Sequence, residues 1–237
     1  AIDMSRSYKI AVISTDYPPL RTSAAVQLQD LARQFAALGH RPVVIVPSLT
    51  DEPWQVETFD GVKVLRVAAP PTRASNHIRR ALAEMWLPFA MLRNLRRSPY
   101  CSAKWDLIVW YSPPIFFGPL VWVIRRASAA RAYLILRDIF PEWALDLGIL
   151  KKGPAYFLLK AVASFQYAVA DVIGVQTPSN LAYMRRWERA ACRRIEVLHN
   201  WLEMTADVGC SIAIEMTALA GRKIFVYIGN MGVAQDM

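Results

Sequence analysis

Three charged side chains stand within six residues of one another in the segment 131–154, RAYLILRDIFPEWALDLGILKKGP. Asp138 and Glu142 are carboxylates, which can hold or accept a proton, and Arg137 is a guanidinium, which pairs well with anions. Together they predict either a site that handles a proton or an anion, or a structural ion pair between Arg137 and one acid. Spacing alone favours neither interpretation.

A strand and a short helix must position these residues. Residues 132–136 are apolar and of strand length, which indicates a strand buried on both faces of a parallel sheet. Arg137 and Asp138 then fall at the carboxyl edge of the sheet, where open α/β folds bind ligands. A proline at its start and a glycine after its end predict a helix over 141–147, with Glu142 in its first turn. We therefore expect the three charged side chains to converge.

The balance of charge narrows the class of partner. The chain has 237 residues, with 28 Lys and Arg against 19 Asp and Glu, and a formal net charge of +9. This excess favours a polyanion or an anionic membrane surface. Nucleic acid is disfavoured, because 54% of the residues are hydrophobic and no zinc-finger, basic-zipper or ribonucleoprotein motif occurs. Cys101, Cys192 and Cys210 share no CxxC spacing, which indicates a reducing compartment and no metal cluster.

No secretory signal is visible, because the polar first residues lead directly into a strand. The uncharged segment 107–124 superficially resembles a membrane span. Pro113, Pro114 and Pro119 interrupt it, however, and one continuous helix would not tolerate them. We predict a buried strand, a turn and a buried helix there instead.

A second group of candidate residues lies in the segment 76–97, whose apolar positions repeat with helical spacing. Arginines dominate its charged positions, and Glu84 is its one acid. Contact with a bilayer surface or an anionic lipid head group is one interpretation, and a core-packed helix with a solvated basic rim is an equal alternative. Pro88 is expected to kink or split the helix. The candidate lipid-contacting residues are Arg79, Arg80, Trp86 and Arg93.

Strand and helix patterns alternate along most of the chain, from the apolar strand at 8–14 to a last short strand at 195–198. Asp60-Gly61 stands between two strand-like runs, which predicts a hairpin that extends one side of the sheet. The alternation predicts an α/β fold with a doubly wound, mostly parallel Rossmann-like sheet over residues 8–201.

The pattern changes after Trp201. Residues 202–222 are interpreted as an interdomain linker with one short helix near 212–219. Residues 223–228 are predicted to form a new strand, so 223–237 is interpreted as the truncated start of a second domain.

The first loop argues against a dinucleotide-binding enzyme. A Gly-x-Gly-x-x-Gly fingerprint is absent, and Thr15-Asp16-Tyr17-Pro18-Pro19 follows the first strand instead. This run is rigid where close approach of a pyrophosphate needs glycine. A nucleotide-dependent epimerase or dehydrogenase is therefore kept only as an alternative.

The order of these signals resembles the N-terminal domain of a GT-B glycosyltransferase of family 4, particularly the bacterial branch that builds polysaccharides and O-antigen on a lipid carrier. The final YIGNMGVAQDM is similar to the first strand and donor-phosphate loop of that family's second domain. The resemblance covers residues 8–201 and 223–237. Four groups carry it: Tyr17-Pro18-Pro19, Gly39-His40, residues 137–142 with Gly148 downstream, and His199-Asn200-Trp201.

The resemblance implies a retaining, metal-independent transferase that works in a cleft between two Rossmann-like domains. Its donor would be a nucleotide-sugar, expected to be a UDP-sugar, which is a substrate and not a cofactor. Its acceptor would be a saccharide on polyprenyl diphosphate, at the inner face of the bacterial cytoplasmic membrane, in lipopolysaccharide synthesis. This chain alone is expected to be nearly inactive. The alternative of another class is a non-catalytic membrane-binding module.

The resemblance also implies roles for single residues. Asp138 or Glu142 would orient or deprotonate the attacking hydroxyl, while Tyr17 and Asn200 would contact the acceptor. Arg137 stands where many members carry His, so it would hold a phosphate of the lipid carrier or pair with Asp138. A glycine pair of the family is also missing from the first loop. Backbone amides for the donor diphosphate would come from Gly229, Asn230 and Gly232.

Overall fold

A computed structural model of the chain describes residues 6–72, 77–191, 193–204 and 213–226. Within the described residues eight strands form one sheet, ordered β3-β4-β2-β1-β5-β6-β7-β8. Neighbouring strands are parallel except for β3 and β4, which form an antiparallel hairpin. The predicted mostly parallel sheet is confirmed. The strands are β1 (Lys9–Ile13), β2 (Arg41–Ser48), β3 (Trp54–Phe59), β4 (Val62–Ala68), β5 (Leu107–Ser112), β6 (Arg131–Leu136), β7 (Val172–Val175) and β8 (Arg194–Val197).

Helices cover both faces of the sheet, as a doubly wound fold requires. Leu28 and Ala32 of α1 pack in a core cluster on one face. Buried residues of α2, α3, α5 and α6 share a second cluster on the other face. The helices are α1 (Ser23–Ala37), α2 (His77–Leu95), α3 (Gly118–Ser128), α4 (Glu142–Asp146), α5 (Pro154–Val169) and α6 (Pro178–Ala191).

The hairpin between β3 and β4 confirms the turn predicted at Asp60-Gly61. Both residues have positive φ, at 47° and 76°, which is the backbone form that a two-residue hairpin turn needs. The hairpin lies at one edge of the sheet, where β3 is the last strand.

Helix α2 divides its apolar residues between the core and solvent. Leu87, Met91 and Leu95 are buried in the core, and Asn94 donates a hydrogen bond of 2.7 Å to the Ala68 carbonyl at the end of β4. Pro88 lies inside the helix and does not split it. A second set of apolar residues on this helix is exposed, namely Leu82, Met85, Trp86 and Phe89.

The uncharged segment 107–124 folds as predicted, into β5, a 3-10 turn at Ile115–Phe117 and α3. Gly118, at the start of α3, makes close packing possible, because a Cβ there would lie 2.8 Å from Cδ1 of Phe165 in α5. In the described part of the chain no helix is both long and apolar enough to cross a bilayer.

The chain divides into two compact units, residues 1–202 and 203–237. In the second unit the described residues contain one 3-10 turn, Ile214–Met216, in place of the longer helix predicted near 212–219. The strand predicted over 223–228 is not formed at residues 223–226. Gly229, Asn230 and Gly232, the candidate donor-phosphate residues, lie outside the described residues.

Candidate functional site

The sheet has one point where its winding reverses, between the adjacent strands β1 and β5. From β1 the chain crosses through α1 to β2 on one side, and from β5 it crosses through α3 to β6 on the other side. Connections that diverge in this way leave a crevice beyond the carboxyl ends of the two strands. Open α/β sheets bind their ligands at such a crevice.

Two adjoining cavities, of about 240 and 490 Å³, occupy this place. Both are bordered by Arg80 and Glu84 of α2 and by Pro113 and Pro114 after β5. We call them together the switch-point crevice. Its other lining residues that carry polar or aromatic side chains are Thr15, Asp16, Thr72, Tyr111, Phe116, Asp138, Phe140 and Trp143.

Among the residues that the structure describes, Asp138 is the carboxylate of this crevice that has no bonding partner. Its side chain is exposed to the cavity, yet protein atoms surround it closely enough that lost hydration raises its pKa above the ordinary value of 3.8. It makes no hydrogen bond or ion pair with any residue that the structure describes. A carboxylate that is partly desolvated and still reachable is suited to accept or hold a proton of a bound hydroxyl.

Arg80 and Glu84 form the other charged pair of the crevice. They lie one helical turn apart on α2, with Nε of Arg80 2.8 Å from Oε1 of Glu84. The Arg80 side chain remains 57% exposed, so this pairing leaves part of the guanidinium open at the mouth of the crevice. The site therefore carries positive charge at its rim and a carboxylate inside.

Arg137 does not join Asp138, although the two are neighbours in sequence. Its side chain is 9% exposed, and its Nη1 donates a hydrogen bond of 2.5 Å to the Leu198 carbonyl. The guanidinium carbon lies 5.0 Å from the ring centre of Trp201. Burial lowers the pKa of Arg137, which nevertheless stays charged in any physiological condition. The geometry thus fits a residue that holds residues 198–201 against the sheet.

Glu142 also leaves the expected cluster. Its carboxylate Oε1 lies 3.2 Å from Nζ of Lys160 on α5, and Lys160 donates a second hydrogen bond to the Tyr156 hydroxyl at 2.9 Å. The hydrogen bond to Tyr156, followed by the interaction with Glu142, raises the pKa of Lys160. Helix α4 begins at Glu142 with Pro141 as its cap, one residue later than predicted. The convergence of Arg137, Asp138 and Glu142 at one place is therefore corrected.

The two residues expected to contact the acceptor lie in different surroundings. Tyr17 is 1% exposed and packs against Phe59, so it presents no surface to a ligand here. Its burial, followed by the nearby Asp60 carboxylate, raises the pKa of Tyr17 to about 12. Asn200 is exposed and borders an apolar groove on the opposite, α1 side of the sheet, together with Trp201.

The remaining lipid candidates lie on the outer side of α2. Arg79 and Arg93 are exposed, and Trp86 is 63% exposed with its ring centre 5.8 Å from that of Phe89. Trp86 and Arg93 border a shallow hollow beside the end of β4. Only Arg80 among the four candidates reaches the switch-point crevice.

Sequence reasoning missed Asp16, Glu84 and Tyr111 as crevice residues. Asp16 accepts a hydrogen bond of 2.9 Å from Oγ1 of Thr22, the residue that caps α1. The sequence could have predicted this place for Asp16. It follows β1 as Asp138 follows β6, so both residues lie at the carboxyl edge of the sheet. Tyr111 is buried at the end of β5, and burial raises its pKa; an apolar strand pattern gave no indication of its role.

Comparison with known proteins assigns the domain. A sequence model described as Glycosyl transferase 4-like domain matches residues 22–201. A protein named as a probable glycosyltransferase, WbjE of Pseudomonas aeruginosa, is 25% identical over 213 residues, covering 84% of this chain and 47% of its own length. A second relative, named colanic acid biosynthesis glycosyl transferase WcaI, of Escherichia coli (strain K12), is 23% identical over 252 residues. The match covers 97% of this chain and 60% of the relative.

Solved structures agree on the fold. Sucrose-phosphate synthase from Thermosynechococcus elongatus superposes with a TM-score of 0.60 at 14% identity, over 82% of this chain and 48% of that one. The catalytic domain of starch synthase IV from Arabidopsis thaliana gives 0.56 at 12% identity, over 82% of this chain and 52% of that one. The chain spans about half the length of the curated relatives it matches.

Proposed function

The chain belongs to the glycosyl transferase 4-like family, as the N-terminal domain of a GT-B glycosyltransferase, and from this we propose that it binds the sugar acceptor of a bacterial polysaccharide-building transferase. The donor is a nucleotide-sugar, of the UDP class, and the acceptor is a saccharide on a polyprenyl diphosphate. The single observation that supports this most directly is the Asp138 carboxylate, unpartnered among the described residues, in the switch-point crevice.

Sugar transfer needs the chemistry that this crevice offers. An acceptor hydroxyl oxygen forms a bond to the anomeric carbon of the donor while the bond from that carbon to the diphosphate breaks. The hydroxyl must give up its proton, and in this proposal Asp138 orients the hydroxyl and receives that proton. The nucleoside diphosphate leaves with the bonding electrons. We propose retention of the anomeric configuration, which in a single displacement requires the hydroxyl to attack the face of the sugar that the diphosphate leaves. Backbone amides and basic side chains would stabilise the charge of the leaving group.

The donor side of this proposal rests on the family alone. Gly229, Asn230 and Gly232 are the proposed amide donors to the diphosphate, because small residues let a phosphate approach the backbone closely. Most donor contacts would lie in a second domain, as the lengths of the relatives suggest. We therefore propose that residues 1–237 alone transfer sugar poorly.

A lipid-linked acceptor is favoured by the surface beside the crevice. Arg80 keeps an exposed guanidinium at the mouth, where it can bind a diphosphate of the carrier. Trp86 and Phe89 are exposed further along the same helix, flanked by Arg79 and Arg93. Exposed aromatic residues beside arginines suit the interface of an anionic bilayer. The proposed location is the inner face of the bacterial cytoplasmic membrane.

The test is sugar transfer by the full-length protein, in membranes that carry lipid-linked acceptor, from a panel of UDP-, GDP- and dTDP-sugars. Transfer from one donor would establish the enzyme. Asp138→Asn is expected to abolish most of it, while Glu142→Gln, which alters the pair with Lys160 outside the crevice lining, is expected to keep most of it. No transfer from any donor, by a folded protein that still binds lipid, would favour the non-catalytic module instead.

A further inference from the structure

A second set of exposed apolar residues follows, in sequence, the chain segment that carries Asp138. It consists of Leu147, Ile149, Phe157 and Leu158, each between 46% and 61% exposed. Lys151 and Lys152, both exposed, stand between the two apolar pairs. We call these six residues the α4–α5 surface. Isolated exposed apolar residues are ordinary, but four within twelve positions of the chain, with a lysine pair among them, indicate a surface that contacts a partner.

The loop at the centre of this surface has a fixed shape. The chain reverses at Gly148, which has φ of +70°. Gly148 donates a backbone hydrogen bond to the Leu145 carbonyl at 3.0 Å, and Leu150 donates one to the Ala144 carbonyl at 2.9 Å. Leu147 and Ile149 therefore flank Gly148 in a hydrogen-bonded turn and are exposed, while Ala144 is buried.

The position of the α4–α5 surface relative to the crevice follows from the packing. Helices α2 and α5 both contact α3 and the 3-10 turn before it, so they flank the same central element. The larger cavity of the crevice is bordered by Arg80 on α2 and by Trp143 on α4. The cavity is thus bordered by α2, the helix that carries the exposed residues Trp86 and Phe89, and by α4, the helix that leads into the α4–α5 surface. Both belong to the carboxyl edge of the sheet, because α5 begins there.

We propose that the α4–α5 surface is a second contact with an anionic bilayer, so that the crevice opens toward the membrane between two points of attachment. This inference rests on the proposed function, since a crevice that faces lipid is useful to an enzyme with a lipid-linked acceptor. The charge of the surface suits this occupant, because Lys151 and Lys152 outnumber the one acid between residues 143 and 158, Asp146. Exposed leucine, isoleucine and phenylalanine beside lysine are typical of segments that lie in a membrane interface.

The experiment measures binding of the full-length protein to vesicles of phosphatidylcholine with one quarter phosphatidylglycerol, and to vesicles of phosphatidylcholine alone. Lys151→Gln with Lys152→Gln is expected to weaken binding to the anionic vesicles by about 25-fold, since each lysine near such a surface contributes about fivefold. Ile149→Ser with Phe157→Ser is expected to weaken it at least tenfold. Neither pair removes a buried side chain, and circular dichroism would verify that both variants fold.

The matched control is Arg41→Gln with Lys63→Gln, which removes the same two charges from exposed positions at the amino edge of the sheet. It is expected to change vesicle binding by less than twofold. Unaltered binding in both α4–α5 variants would overturn the inference, as would equal loss in the control. Sugar transfer to a short-chain acceptor in detergent separates the two proposals. Its absence in the unmodified protein counts against the proposed function and leaves the vesicle result to decide the membrane contact.

Discussion

The two edges of the sheet each carry a charged cavity, and the cavities differ in how their charges are used. The amino-edge pocket, of about 440 Å³, is bordered by Arg125, Arg131, Asp171, Arg193 and Arg194. Arg125 donates to the Val169 carbonyl at 2.8 Å and pairs with Asp171 at 2.6 Å. Arg193 donates to the Ala168 and Ala170 carbonyls, both at 3.0 Å. Arg125 and Arg193 thus donate to carbonyls at the carboxyl end of α5, which lack partners within the helix.

The switch-point crevice at the carboxyl edge differs, because one of its charged side chains is not bonded to any described residue. Asp138 has no hydrogen bond or ion pair with a described residue, and its loss of hydration raises its pKa. Burial also shifts the pKa of Arg193, downward, and the nearby Arg125 lowers it further, but Arg193 still holds two carbonyls. Neither the volume nor the charge of a cavity therefore identifies a site. A better indication is a group inside it that is desolvated and has no bonding partner among the described residues, as Asp138 is.

The largest effect is expected from Asp138→Asn in the full-length protein. Sugar transfer is expected to fall at least 100-fold, equivalent to about 2.7 kcal/mol in activation free energy, because a positioned proton acceptor contributes this much or more. Steady-state transfer across pH would add a second readout. The acid limb of the unmodified enzyme should lie above the ordinary pKa of aspartate, and the residual activity of the variant should lack it.

A loss of less than threefold would remove Asp138 from the mechanism. A loss that accompanies unfolding, seen by circular dichroism, would give it a structural role like that of the amino-edge charges. Either result would erase the distinction between the two cavities.

The next largest effect is expected from Arg137→Met, which tests whether Arg137 has a structural role through its hydrogen bond to the Leu198 carbonyl. Removing the guanidinium leaves the Leu198 carbonyl without its donor, so the free energy of unfolding should fall by about 2 kcal/mol. Urea denaturation measures it. Arg6→Met, at an exposed ion pair with Asp106, is the control and should cost less than about 0.5 kcal/mol. Lost transfer at unchanged stability would instead assign Arg137 to the chemistry.

Asp171→Asn tests the amino edge itself, with a smaller effect. The change breaks the partly exposed pair with Arg125 and keeps an oxygen that can accept from the Ala132 amide. Unfolding free energy should fall by about 1 kcal/mol, while transfer by the folded protein stays within twofold of the unmodified rate. A tenfold loss of transfer without loss of folding would show that this pocket also takes part in function.

The smallest expected effect concerns the dependence of stability on pH. The raised pKa of Asp138 means that the folded state binds its proton more tightly than the unfolded state does. Ionisation of this carboxyl therefore opposes folding, and its cost appears as pH rises from the unfolded value of about 3.9 through the folded value. Asp138→Asn should match the unmodified protein below that range and be slightly more stable at pH 7. Paired urea titrations at both pH values measure the difference, and a difference of opposite sign would contradict the assigned burial.

The sequence was sufficient for the sheet and for the edge at which the site lies, because strand-length apolar runs and the Asp60-Gly61 turn are local signals. It was insufficient for the direction of single side chains. The sequence predicted the position of Glu142 in the first turn of a helix. Its ion-pair partner, Lys160, is 18 positions away in another helix. Tyr17 was placed in a loop, and its burial depends on the hairpin residue Phe59 packing over it. Such contacts are tertiary and have no local pattern.

The separation of Arg137 from Asp138, by contrast, had a signal that went unused. Side chains alternate between the two faces of a strand. Tyr133 and Ile135 pack in the cluster on the α1 face, and Leu134 and Leu136 pack in the opposite cluster. Continuing that alternation by two residues sends Arg137 toward Trp201 and Asp138 toward the crevice beside α2.

The same alternation constrains which changes of length this strand tolerates. One residue inserted into or deleted from β6 would exchange the faces of everything that follows. A carboxylate would then enter the closed surroundings of Trp201 and Leu198, and a guanidinium would enter the crevice. Loss of folding and loss of the site would come from a single event. Insertions and deletions should therefore be rare between residues 131 and 138 in natural relatives. They should be common in the exposed turn at 49–53, where side chains do not alternate between two faces of a sheet.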